Sequence, residues 1–306
     1  MSNVNMSVKI GDLLLRNPVA AGSGTFGYAL EMEEYVDLNR LGILNIKGTT
    51  TQPRKGNPPP RIAEVPSGIV ASMGLENPGV DYVLNSIVPK LTKYAPPISI
   101  NISGNSLEEY IELTEKVNAC DAVSAIEINI SCPNIGNGGA AFGADPIVAA
   151  RVVKEVRVRT KKTLITKMTP AVTDIVQVAK AVRDSGTDAL LVANGYPAMA
   201  IDIKTRKPSL GNIRGGLSGP ALKPINLLNV WRVAQEVDLP IIGCGGIFRA
   251  EDAIEYFLAG ATAVSVATAN LVDPRSTMLV IDGIEKYLAE NGFSDIHEII
   301  GLAWKN

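Results

Sequence analysis

Short apolar runs alternate with longer amphipathic stretches along almost the whole chain. The pattern opens on residues 8–15, VKIGDLLL, which read as a hairpin turning at Gly11-Asp12. Beyond it, short aliphatic and β-branched runs predict eight strands, at residues 19–21, 43–46, 98–102, 126–130, 164–167, 189–193, 241–243 and 263–266. A 3.6-residue period between them predicts helices at 107–118, 146–160, 174–185, 220–236, 250–259 and 275–291. Asp145-Pro146 and Pro220 stand where helices open, and Gly186 and Gly260 where they end. Repeated strand–helix units of this number predict an α/β fold, a (β/α)₈ TIM barrel with a short N-terminal hairpin, formed by residues 1–306 as a single domain. An open doubly wound sheet fits less well, because no GxGxxG follows the first strand. Two connections are unusually long, 47–88, rich in Pro and Gly, and 194–219, which contains IDIKTRKPSL. Both follow strands, so they fall at the C-terminal face, where barrel enzymes build their active sites.

Composition narrows the chemistry. The 306 residues carry 29 Lys+Arg against 31 Asp+Glu, a net charge of −2, which argues against a nucleic-acid partner. The sole histidine, His297, is remote from every strand end, so a multi-histidine metal site is excluded and histidine acid–base chemistry is not expected. The cysteines, Cys120, Cys132 and Cys244, are too few and too scattered for a Cys₄ zinc site or a cysteine-ligated cluster within this chain. With no CxxC pair, no signal-peptide pattern at the start and no apolar run of ~18 residues, a reduced, cytoplasmic protein without a membrane contact is expected.

Candidate reactive groups gather at strand ends. Residues 127–134, EINISCPN, lead into a glycine-rich stretch. Strand alternation sends Asn129 to the face opposite Ile128 and Ile130, and places Cys132 just past the fourth strand, where Pro133 stops pairing. A lone cysteine is ordinarily a small buried hydrophobe, the reading kept for Cys120 and Cys244. Cys132, beside two amides at a barrel mouth, is placed to serve as general base or nucleophile. Lys47 and Lys167 close the second and fifth strands, where an ammonium can neutralise an electron-rich ring or a carboxylate. Gly245-Gly246 and Ala267-Thr268 follow the seventh and eighth strands, a frequent phosphate site in barrels. By contrast Lys154, Arg157, Arg159, Lys161 and Lys162 read as a solvated helix face.

With these residues assembled, the chain resembles the class 1 dihydroorotate dehydrogenases over essentially its full length. The motifs that carry the resemblance are SGTFG at 23–27, KGTT at 47–50, GLENPG at 74–79, NISCPN at 129–134, FGADP at 142–146, LSGP at 217–220 and Gly245-Gly246. QPRKGNPPPR at 52–61 and the GLxNPG motif look most like subclass 1B.

The resemblance implies FMN in this chain, and Cys132 as the base that removes the C5 proton of dihydroorotate while a hydride passes from C6 to flavin N5. It assigns flavin contacts to Ser23, Gly24, Lys47, Gly48, Asn101, Asn129, Lys167, Ala193, Gly219, Gly245, Gly246, Ala267 and Thr268. Substrate contacts fall on Lys47, Ala71, Ser72, Met73, Gly74, Leu75, Asn129, Asn134, Asn194 and Gly195, with no metal. Subclass 1B further implies a homodimer joined by two electron-transfer subunits that carry FAD and a 2Fe-2S cluster and pass electrons to NAD. Too few cysteines are present to hold that cluster here, so NAD-linked turnover needs the second subunit.

Two positions depart from the family pattern. Where the family has GMLNAIG, this chain has GIVASMG at 68–74, so Ala71 replaces an asparagine that contacts orotate, with Ser72 the nearest substitute donor. Where the family has Asn-Thr, this chain has Asn194-Gly195. A related FMN oxidoreductase for another dihydropyrimidine or cyclic amide, and a fumarate-linked enzyme like subclass 1A, therefore stay open beside dihydroorotate oxidation.

Overall fold

The computed structural model describes residues 4–131 and 142–305. Eight parallel strands, Val19–Ala21, Leu44–Thr49, Ile98–Ile102, Val123–Asn129, Thr163–Lys167, Ala189–Val192, Ile241–Cys244 and Ala263–Val266, pair in sequence order around one sheet. The eighth pairs with the first, and a parallel bridge between Ala20 and Ile43 joins the first to the second, so the sheet closes into a barrel. Every predicted strand is present, with ends shifted by at most a few residues.

The hairpin forms as expected, Val8–Ile10 against Leu13–Leu15. Ile10 and Leu15 are buried, and the Asp12 N–H donates to Thr163 Oγ1 at the start of the fifth strand, so the hairpin covers the N-terminal end of the barrel. Three of the predicted helices begin at side-chain caps: Ser106 accepts from Glu109 N–H, Asp145 from the N–H groups of Ile147 and Val148, and Asp174 from that of Val176. Their buried faces, such as Val152, Val153 and Val156 of Pro146–Arg157, pack onto the strands. The basic run after that helix is only partly solvated. Arg157 pairs with Asp188 at 2.9 Å, and Lys162 donates to the carbonyls of Cys120 and Val123, tying the turns at the barrel's lower end together.

The two long connections are not open loops. The first holds the strands Ile62–Val65 and Gly68–Ala71, then an unbroken helical run, Val80–Tyr82, a π turn Val83–Ile87 and Val88–Leu91. The second holds Tyr196–Ala198, a small hairpin of Ile201–Asp202 with Lys207–Pro208, and Gly215–Ser218. Strands from both connections join in one antiparallel sheet, ordered Tyr196–Ala198, Gly215–Ser218, Gly68–Ala71, Ile62–Val65. This second sheet caps the C-terminal face. Among the described residues, no helix is long and apolar enough to cross a membrane.

Candidate active site

A cavity of about 450 Å³ lies between the strand ends and the cap sheet. Its floor is organised by Glu127, an acid within a largely apolar strand. Glu127 shares the inward face of the fourth strand with Asn129, two positions on, and is fully buried. Its carboxylate accepts from Ser23 Oγ at 3.0 Å, from Asn45 Nδ2 at 2.6 Å and from Asn101 Nδ2, and it lies 3.5 Å from Lys167 Nζ. The Lys167 ammonium also donates to Ser23 Oγ at 3.1 Å. Groups from four other barrel segments thus converge on one carboxylate, and a buried charge is tolerable only with such a complement of donors.

Beside this cluster, Asn129 Oδ1 accepts from Ser131 Oγ at 2.7 Å and from its N–H at 3.2 Å, which leaves the Asn129 amide nitrogen 3.5 Å from Asn101 Oδ1. Asn194 Nδ2 donates to Ser131 Oγ at 2.7 Å, and the Tyr110 hydroxyl to the Asn129 carbonyl at 2.6 Å. The amides are held from behind, with little freedom to turn.

At the seventh strand, Asn226 Nδ2 donates to the carbonyls of Cys244, Ala193 and Asn194. Gly245 follows with φ +118°, and a Cβ there would sit 2.4 Å from that same nitrogen, so only glycine fits. Asp252 accepts from the N–H groups of Phe248 and Arg249 and pairs with Lys223 at 2.8 Å, fixing the turn that follows. Burial acts to raise the Asp252 pKa, but the Lys223 ammonium and the two N–H groups outweigh it and hold the carboxyl below its ordinary value. Cys244 lines the cavity, and burial pushes its thiol up.

Most residues singled out from the sequence meet here. Ser23, Gly24, Gly48, Asn101, Asn129, Lys167, Ala193, Gly245, Ala267 and Thr268 line the cavity, as do Ala71, Ser72, Met73, Gly74, Leu75, Asn194 and Gly195. Lys47, Gly219 and Gly246 are not in the lining; the Lys47 ammonium stands 5.5 Å over the Tyr28 ring. Cys132 and Asn134 lie outside the described residues. Two charged residues went unrecognised in the sequence, Glu127 and Arg214. The latter lines the cavity from the cap, and its signal is invisible without the pairing of the cap strands. Glu127 had a local signal, an acid in step with Asn129 in an otherwise apolar strand.

The two departures from the family pattern have physical content. Ala71 presents only a methyl group. Ser72 is 4% exposed, and its hydroxyl accepts from Asn57 Nδ2 at 2.7 Å and Asn212 Nδ2 at 3.0 Å, so its oxygen is held inside the cap and only its O–H is left to donate. Gly195 lies against the neighbouring strand, where a Cβ would come within 2.8 Å of the Leu217 carbonyl. Gly195→Thr is accordingly expected to destabilise the fold by about 1–3 kcal/mol through overpacking rather than to add a ligand contact. A thermal melt reads this, and an unchanged midpoint would contradict it.

The described lining carries two cations, Lys167 and Arg214, several amides and no acid, a surface suited to electron-rich planar rings and anions.

Comparison with known proteins bears on what enters it. A family model described as dihydroorotate dehydrogenase matches residues 5–288. The chain is 53% identical over 300 residues to the dihydroorotate dehydrogenase B (NAD(+)) catalytic subunit of Desulforamulus reducens, covering 98% of this chain and 99% of that one. The subunit of the same name from Geotalea daltonii is 49% identical over 98% of this chain and 99% of its own length. That from Bacteroides thetaiotaomicron is 46% identical over 97% and 98% respectively.

Proposed function

Because the chain belongs to the dihydroorotate dehydrogenase family, we propose that it is the FMN-bearing catalytic subunit of a cytoplasmic, NAD-linked dihydroorotate dehydrogenase of pyrimidine biosynthesis. The observation that carries this reading is the floor of the cavity, where Ser23, Asn101 and Lys167 are locked to Glu127 and still line the open space. These residues fit a flavin. Lys167 and the Asn101 and Asn129 amides offer positive charge and N–H donors to an electron-rich ring edge, and Gly245 and Thr268 bring the ends of the last two strands to the cavity, where barrels commonly bind phosphate. Bound FMN supplies the acceptor for the hydride from substrate C6.

The remaining work falls to this chain. Cys132 is the base, taking the C5 proton onto its Sγ; an ordinary thiol pKa near ~8.5 lets a modest environment supply thiolate at neutral pH. Asn129, Asn134 and Asn194 orient the pyrimidine ring and its carboxylate. Lys167, anchored by Glu127, would help to hold the flavin and would present it with a fixed cation, a stabilisation that requires no reorganisation during the reaction. The cap sheet shields the ring pair from water.

Anaerobic addition of dihydroorotate to the FMN-loaded chain is expected to bleach the flavin absorbance. Persistence of the oxidised spectrum would sink the proposal. Electrons reach NAD through a partner subunit with FAD and a 2Fe-2S cluster, two of which join a homodimer of this chain. Full-rate NAD reduction by the isolated chain would refute that arrangement. The methyl of Ala71 and the bare Gly195 support a second reading, a dihydropyrimidine or cyclic amide other than dihydroorotate. Faster bleaching by dihydrouracil than by dihydroorotate would favour it.

A further inference from the structure

The register of the cap sheet tells which of its residues face the cavity. Gly216 stands opposite both Ala71 and Pro197. Side chains two apart share a face, so Arg214, one residue ahead of its strand, lies on the face of Gly216, Ala71 and Pro197. All four line the cavity, whereas Val70, Leu217 and Tyr196, which alternate with them, do not.

Two charged residues fall on this face, Glu64 opposite Ile69 and Arg214, and of the two Arg214 lines the cavity. It makes no side-chain hydrogen bond or ion pair among the described residues. Segment 132–141, CPNIGNGGAA, contains no acid that could pair with it either. Its backbone, in contrast, is tied down. Asn212 Nδ2 donates both to the Arg214 carbonyl, at 3.3 Å, and to Ser72 Oγ, at 3.0 Å, linking Arg214 to the residue beside Ala71. An arginine with a fixed base and an unpaired head, at the mouth of a cavity with no acid in its described lining, is built to receive an anion. A guanidinium fork matches a carboxylate with two parallel N–H bonds.

We propose that Arg214 recognises the carboxylate of the substrate and replaces the polar contacts that Ala71 and Gly195 cannot make. The ligand class is a planar cyclic amide bearing a ring carboxylate. This inference rests on the reading of the cavity as a dihydroorotate site and assigns its specificity to one residue.

Isothermal titration of the FMN-loaded full chain with orotate, and with uracil as the same ring without the carboxylate, tests it. Arg214→Gln is expected to raise the Kd for orotate by roughly tenfold to a hundredfold, the range for a lost charged hydrogen bond, and to leave that for uracil unchanged. Arg214→Lys, which keeps the charge and loses the fork, is expected to fall between. Flavin content and melting temperature establish that each variant is folded. Unchanged orotate affinity in Arg214→Gln, or equal weakening for both ligands, would overturn the role of Arg214 and leave the enzyme assignment standing. Failure of the unmodified chain to bind orotate would overturn the assignment itself, and this proposal with it.

Discussion

Replacing Cys132 with alanine is expected to leave FMN bound and to slow flavin reduction by dihydroorotate about 10²–10⁴-fold near neutral pH, the usual contribution of a positioned general base. The C5 proton sits on carbon, so its removal depends on a base held within bonding reach while the hydride leaves C6. The chain enters the cavity at Ser131, whose hydroxyl is clasped to Asn129 and Asn194, so the segment that follows starts from a fixed point. The control is demanding. Cys244 also lines the cavity, but burial raises its thiol pKa and makes its thiolate harder to form, so Cys244→Ala should change the rate only a few-fold. Stopped-flow reduction under anaerobic conditions reads both variants, and equal losses would remove the base assignment.

The second large effect is expected at Glu127. Its substitution by alanine leaves the Lys167 ammonium and the amides of Asn45 and Asn101 without their common acceptor in a closed interior. Breaking a buried pair by removing one partner typically costs ~3–5 kcal/mol, so a clear fall in denaturation midpoint is expected, together with loss of FMN. Glu127→Gln should be milder in stability yet still impaired, because its amide sets two donors among neighbours that are themselves donors. An alanine variant that retains full flavin content and stability within ~1 kcal/mol of the parent would show that the cluster is not the organising centre of the site.

The barrel was legible because each strand is a short buried run bounded by turn residues, and because helices such as Leu107–Asn118 carry both an apolar stripe and a capping serine. What escaped was structure that depends on distant pairing. Residues 47–88 read as a Pro- and Gly-rich connection, yet they contain a strand pair and a helical run. That run is broken in pattern by a π turn and by Pro89, which blur the 3.6-residue period. The cap strands Gly68–Ala71 and Gly215–Ser218 are only four residues each, and nothing local announces that they meet. Site residues followed the same division. Asn129 could be placed from strand alternation and Lys167 from its position at a strand end, whereas the face that Arg214 shares with Ala71 exists only through a register set between segments about 140 residues apart.

That stitched cap sets the unit in which this enzyme can be re-engineered. The surface over the substrate is woven from the second and sixth βα connections, with backbone atoms of one pressed against glycines of the other: a Cβ at Gly215 would meet the Ala71 carbonyl at 2.5 Å, and one at Gly68 the Ser218 carbonyl at 2.2 Å. A loop grafted alone from a relative would arrive without its mate. Exchange of specificity therefore has to move both connections together, as a matched pair, while the barrel beneath is left untouched.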